Sequence, residues 1–346
     1  MARRRLPDEL GIFVVLLIVL AVLSALSPPF RTVSNGFTLL LNGSVIAFLA
    51  LGQSFVLLTG GIDLSTGANV AMTGVLAPLL MQMGVPWPLA AILAVAAGTL
   101  LGAVNGAIIH FVKVPPFIVT FSTLGVASSI PLIITGANSI SVVDPRFAVI
   151  GQGRLLGVPV PVLLLLLAAV AAWFVLAWTK FGVHIYALGG NRAAARLAGV
   201  NVARTTIAVY AISGLCAGMG GLISSSRLMV GFPATGLGNE LFFSIAAAVV
   251  GGGSLFGGVG SVAGAMIGAV LIASVSNGMN VLSVSSYWQP LVIGLIILTG
   301  VSLDTYRRAL AGRPLPGGLA RRGRSGEAPA VAAPDEPPPV AADRGR

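Results

Sequence analysis

Between residues 10 and 304 the chain carries only thirteen of the thirty charged side chains found in its 346 residues. An average soluble domain has about one charged residue in four, because a water-facing surface has to be covered with polar groups. A 295-residue stretch this poor in charge has one plausible solvent, the lipid bilayer. That sets aside soluble enzymes, nucleic-acid binders and secreted disulfide scaffolds. The one cysteine, Cys216, has no internal partner for a disulfide and reads as a small apolar core residue.

A helix crosses a bilayer with about 20 mostly apolar residues. Ten segments qualify: 10–27, 37–59, 64–84, 87–111, 116–136, 160–179, 204–226, 239–255, 259–280 and 288–304. Breaks fall at Pro28-Pro29, Gly60-Gly61, Pro86, Pro115-Pro116, Pro159 and the run from Gly231 to Gly238. The eighth segment is the weakest and is expected to enter the membrane without crossing it cleanly. The fold class is therefore all-α, a polytopic integral membrane protein of about ten transmembrane helices with broken or re-entrant elements.

Lys and Arg counts orient the spans. With a cytoplasmic N-terminus, sixteen basic residues face inward and four, Arg31, Arg146, Arg154 and Arg227, face outward. The net charge of +10 is on this reading a topology signal, and no nucleic-acid partner is expected. Arg3-Arg4-Arg5 before an apolar run resembles a signal peptide, but no clear small-x-small cleavage site follows. Three regions result: a cytoplasmic segment 1–9, a membrane domain 10–304 with a cytoplasmic loop at about 180–204, and a cytoplasmic tail 305–346. From about residue 312 onward the tail is rich in Pro, Ala, Gly and Arg and is expected to be disordered.

Glycines recur four apart at Gly98, Gly102 and Gly106 and at Gly260, Gly264 and Gly268, and Gly214 pairs with Gly218. Faces of small residues let helices approach closely in lipid, where van der Waals contact replaces the hydrophobic drive. Two Gly-rich breaks, Gly60-Gly61-Ile62-Asp63-Leu64-Ser65 and Gly251 to Gly258, lie 191 residues apart. Each separates two apolar runs, which suggests a parallel internal repeat of the kind many transporters have.

Polar groups inside a bilayer are costly and mark candidate functional positions. Asp63 lies at the first Gly-rich break and is suited to capping the third span or to touching cargo. Glu240 opens the eighth span. The amides Asn42, Gln53, Asn69, Asn105, Asn277 and Asn280 fall in or near spans. Amides join helices by hydrogen bonds, and they also offer donors and acceptors without net charge, as a path for a neutral polyhydroxylated solute needs. These eight residues are the candidate translocation path. No Asp/Glu/His relay of the proton-driven kind is visible, and His110 and His184 have no partner at metal-ligand spacing. Neither lysine sits in a Gly-Lys-Ser/Thr phosphate loop, so the chain is expected to bind no cofactor itself and to draw energy from another polypeptide.

The loop after the sixth span reads Tyr186-Ala-Leu-Gly-Gly190-Asn191-Arg192-Ala-Ala194-Ala195-Arg196-Leu-Ala-Gly199. Asn191 is a good N-cap, Arg192 to Ala198 are strong helix formers, and Gly199 is a natural stop. The result is a short basic helix of about two turns, some 10 Å long, suited to docking into a groove on a soluble partner.

This loop resembles the coupling loop of ATP-binding-cassette importer permeases. More closely, the chain resembles permease subunits of the ribose/xylose/arabinose/galactoside type. The matching stretches are Leu-Thr-Gly-Gly-Ile-Asp-Leu-Ser (58–65), the loop at 186–202, Ala-Ala-Val-Val-Gly-Gly-Gly-Ser-Leu-Phe-Gly-Gly-Val-Gly (247–260) and Asn-Gly-Met-Asn-Val-Leu-Ser-Val-Ser-Ser-Tyr-Trp-Gln (277–289), and the resemblance covers residues 35–305 at family-like spacing. Gly253 stands where these permeases usually carry Thr. The resemblance implies a simple-sugar importer of the bacterial inner membrane working by alternating access. It also implies a cytoplasmic subunit that holds ATP and Mg, a periplasmic or lipid-anchored sugar-binding protein, and a second permease copy or paralogue. Asn191, Arg192, Ala194, Ala195, Arg196 and Gly199 would enter the ATPase groove. The rival readings are a permease of the same machinery for branched-chain amino acids or a signalling sugar derivative, and a stand-alone ion-coupled transporter.

Overall fold

A computed structural model describes residues 9–310; the expectations for the N-terminal segment and the tail fall on 1–8 and 311–346, outside the described residues. The helices are α1 (Glu9–Leu26), α2 (Val33–Leu58), α3 (Thr66–Gln82), α4 (Trp87–Ala107), α5 (Pro116–Thr135), α6 (Ala148–Gln152), α7 (Val160–Trp178), α8 (Lys180–Gly190), α9 (Arg192–Leu197), α10 (Val202–Leu228), α11 (Glu240–Val250), α12 (Val262–Val281) and α13 (Trp288–Leu310). Each of the ten apolar segments coincides with one of them, α6, α8 and α9 being the additions. Seven are long and apolar enough to span a membrane by themselves: α1, α2, α4 with its π-helical extension to Val112, α5, α7, α10 and α12. The protein is thus a polytopic helical membrane protein. The only strands among the described residues are two-residue pieces in loops, Ile140–Ser141 (β1) paired with Val230–Gly231 (β4), and Arg154–Leu155 (β2) with Val158–Pro159 (β3).

Local chemistry sets the helix starts and stops. Prolines occupy the first turn of α4, α5 and α7, where the missing N–H has no helical partner to lose. Side-chain oxygens of Thr32, Asn201 and Ser261 cap α2, α10 and α12. Gly136 closes α5 in the left-handed region at φ +58°.

The interior is built from α2, α3, α10 and α12, with α1, α5 and α7 at the periphery. The glycine spacings explain why the inner helices fit. A Cβ on Gly102 of α4 would lie 2.1 Å from the Tyr210 carbonyl oxygen of α10, and one on Gly214 would lie 2.3 Å from that of Gly98. On the other side of the bundle, a Cβ on Gly268 of α12 would lie 2.0 Å from the Ala247 carbonyl of α11. Backbone therefore touches backbone along both seams, the close approach that lipid-embedded helices use.

The eighth segment is shorter than the sequence expectation of 239–255. With 11 residues, α11 is about 16 Å long, half of a hydrocarbon core of about 30 Å. The other half of the depth is taken by the preceding loop, which re-enters the bundle along α3. Gly231 packs beside Gly74 and Val75, and Gly236 beside Gly67 and Val70, a descent of about 10 Å at the helical rise.

The two Gly-rich breaks meet at one end of the bundle. Gly258 N donates to Leu58 O at 2.9 Å, and α2 packs against both α11 and α12. The 191-residue offset carries α2–break–α3 onto α11–break–α12, with both breaks at the same end, the arrangement that a parallel repeat requires. That end also carries α8 and α9. The opposite end holds Arg227, bonded to Asn42 at 2.6 Å, Arg154 over the Phe37 ring at 4.3 Å, and the exposed Asp144–Arg146 ion pair at 2.8 Å. The Arg146 guanidinium holds the Asp144 carboxyl below its usual range.

Candidate functional site

The exposed handle is local in origin. Asn191 Oδ1 accepts from Ala193 N and Ala194 N, both at 3.0 Å, an N-cap that starts α9 one residue after α8 ends. At its other end Gly199 sits at φ +82°, with Gly199 N on Arg196 O and Val200 N on Ala195 O. This αL stop is the conformation that favours glycine. Of the six residues in α9 only Ala195 is buried, and it anchors the helix to the bundle. Arg192, Ala194 and Arg196 are exposed. Leu197 is 90% exposed, an apolar tip that sequence reasoning left out because burial depends on where α9 sits.

α8 fixes this handle to the breaks. Tyr186 Oη donates to Gly260 O at 2.9 Å, just before α12. Burial and then the nearby Glu9 carboxylate raise the Tyr186 phenol above its ordinary range, so it remains a protonated donor. Glu9 Oε1 in turn accepts from Ser261 Oγ, the α12 cap, at 2.7 Å.

The buried polar cluster forms where α2 breaks into α3. Asp63 is buried, and its Oδ1 accepts from Ser65 N at 2.9 Å and Ser65 Oγ at 2.6 Å. Its Oδ2 accepts from Ser213 Oγ of α10 at 2.7 Å. Ser65 Oγ also accepts from Asn105 Nδ2 of α4 at 3.0 Å. The sequence suggested Asp63 as a cap for α3; the N-cap position is Ser65, without a side-chain cap bond, and Asp63 instead makes the tight turn that leads into it. One turn into α3, Asn69 Nδ2 donates to Gly98 O at 3.0 Å and Gly214 O at 3.3 Å. Three inner helices are thus joined through Asp63, Asn69 and Asn105. Ser65 and Ser213 were missed, since single serines in apolar runs carry no signal and Ser213 lies 150 residues from Asp63.

The remaining candidates divide into two groups. At the opposite end Asn277 and Asn35 exchange reciprocal amide bonds at 3.0 and 3.1 Å, Asn280 accepts from Gln289 at 2.8 Å, and Asn42 holds Arg227. Inside, Gln53 is fully buried on α2 with neither amide atom hydrogen-bonded, and the Oε2 of Glu240 is likewise buried without a partner. Oδ1 of Asn69 and of Asn105 are also unpartnered. A buried unmade hydrogen bond costs about 1–3 kcal/mol, so these unpartnered atoms do not add to stability. Gln53→Met, which removes both orphan atoms at similar volume, is expected to raise the thermal unfolding temperature in detergent by several degrees, the equivalent of about 1–3 kcal/mol. An unchanged or lower temperature contradicts an unpartnered Gln53.

The arrangement thus combines a half-length apolar helix, two breaks that meet at one end of the bundle and an exposed capped helix tied to them. Comparison with known proteins places the chain in a family. Residues 35–300 match the family described as branched-chain amino acid transport system / permease component. The chain is 38% identical to the D-allose transport system permease protein AlsC of Escherichia coli K12, over 86% of this chain and 91% of the relative. It is 40% identical to the ribose import permease protein RbsC of Bacillus subtilis 168, over 87% and 94%. The xylose transport system permease protein XylH of Escherichia coli K12 is 37% identical, over 80% and 85%. No solved structure matches. The chain belongs to this family of ATP-binding-cassette transporter permeases.

Proposed function

We propose that the chain is the membrane-spanning subunit of an ATP-driven importer of a simple sugar, a pentose or hexose. The observation that carries the reading is likeness along nearly the whole chain to allose, ribose and xylose permeases. The interior supports it, because the groups left with hydrogen-bonding capacity are mainly neutral amide atoms of Gln53, Asn69 and Asn105, suited to a polyhydroxylated neutral solute. The family description names branched-chain amino acids. A zwitterion needs charges of both signs along its path, whereas among the buried unpartnered atoms of the described residues only Glu240 Oε2 belongs to a charged group, and Arg227 is held at the mouth by Asn42.

On this reading Lys113, Lys180, Arg192, Arg196 and Arg204 gather at the cytoplasmic end, with both termini on that side. α9 docks in a groove of a separate ATP-binding subunit, which holds ATP and Mg. A periplasmic or lipid-anchored binding protein delivers sugar to the end carrying Asn42, Asn277 and Asn280. A second permease copy or paralogue completes the assembly, and Gln53, Asp63, Asn69, Asn105 and Glu240 mark the path. Closure of the ATP-binding subunits moves α9, and the spans alternate their access. The test is affinity purification of the tagged chain from native membranes in mild detergent. Co-purification of an ATP-binding subunit is expected; a chain that purifies alone contradicts the reading.

A further inference from the structure

The chain joins its handle to its two breaks at one crowded point. α8 and α9 are separated by Asn191 alone, which closes one helix through Asn191 N to Ala187 O at 3.0 Å and caps the next. Displacement of α9 therefore passes directly into α8. Gly189, on the last turn of α8, lies against the bond from Gly258 N to Leu58 O that links the two breaks. A Cβ there would stand 1.8 Å from Leu58 O and 2.5 Å from Gly258 N. Gly257 completes the junction, its own Cβ position 2.8 Å from Gly60 N and 2.9 Å from Gly189 O. One turn back, Tyr186 ties the same helix to Gly260. Gly190, the next residue, has open space where a Cβ would sit and no left-handed backbone. Within the Gly189-Gly190 pair the requirement for glycine thus falls on position 189 alone.

Resting on the importer reading above, we propose that Gly189 and Tyr186 are positioning residues that convert one displacement of the docking helix into simultaneous movement of both membrane breaks. Because Gly189 presses on the bond joining Leu58 to Gly258, the α2–α3 and α11–α12 hairpins move as one unit. Without that seat the ATPase can close while the breaks stay uncoupled from it. The residues touch no cargo; their effect is on the number of ATP molecules hydrolysed per sugar moved.

The experiment uses the full complex of permease, ATP-binding subunit and binding protein in proteoliposomes, with ATP hydrolysis and labelled-sugar uptake measured on the same preparation. Gly189→Ala is expected to keep the ATP-binding subunit bound while ATP hydrolysed per sugar transported rises at least tenfold. Tyr186→Phe, which removes one hydrogen bond and adds no bulk, is expected to raise that ratio severalfold. Gly190→Ala is expected to match wild type. A normal ratio for Gly189→Ala overturns the proposal, as does an equal defect in Gly190→Ala. If Gly189→Ala fails to fold, Tyr186→Phe decides, and a wild-type ratio there overturns it. A wild-type chain that binds no ATP-binding subunit overturns the importer reading itself, and this proposal with it.

Discussion

Replacing Asp63 with Ala is expected to lower stability by about 1–3 kcal/mol, the cost of leaving a buried donor without its acceptor. Three donors lose their acceptor: Ser65 N, Ser65 Oγ and Ser213 Oγ. The hydroxyls can rotate toward nearby carbonyls, but the Ser65 amide cannot, and no lipid group accepts in its place. The loss also removes the Ser213 bond between the break and α10, so that the seat of α3 is weakened along with Asn105. Asp63→Asn keeps one oxygen as acceptor and is expected to cost about 1 kcal/mol, the worth of an ordinary hydrogen bond. Thermal unfolding of the purified chain in detergent measures both. Equal unfolding temperatures for wild type and Asp63→Ala contradict the role assigned to this network.

Leu197→Asp is expected to weaken binding of the ATP-binding subunit by at least about a hundredfold, since burying a leucine is worth about 1.5–3 kcal/mol and a charge placed in an apolar groove adds a desolvation penalty. Folding should be unaffected. Leu197 is 90% exposed, and substitutions at such sites usually change stability by less than about 0.5 kcal/mol. Titration of the immobilised subunit with wild-type and variant permease gives the affinity directly. Unchanged binding with unchanged stability removes α9 from the docking surface.

What the sequence revealed follows from the range over which each signal acts. The spans are legible because apolar runs and the Pro and Gly breaks between them are local, and so are the caps at Asn191 and Gly199. The start of α11 at Glu240 is legible to within a residue, and so is its incomplete crossing. Its end at Val250 is not, because the apolar run continues through Gly251 to Gly253. Asp63 stands out as an intramembrane charge, whereas its partner Ser213 becomes visible only when α10 is laid against the break. The amides are ambiguous in sequence for a chemical reason. The same group that joins Asn35 to Asn277 would also meet a sugar, and only the unpartnered atoms of Gln53, Asn69 and Asn105 separate the two uses. The repeat rested on two glycine runs 191 residues apart; the bond between Leu58 and Gly258 shows that these runs meet.

The most direct test is uptake of labelled ribose, allose and xylose, each in turn, into proteoliposomes holding the chain with its ATP-binding subunit and binding protein. Accumulation of one of them that requires ATP hydrolysis and survives an uncoupler is the result expected. Accumulation that proceeds without ATP and collapses with the uncoupler would contradict the importer and make the chain an ion-coupled transporter.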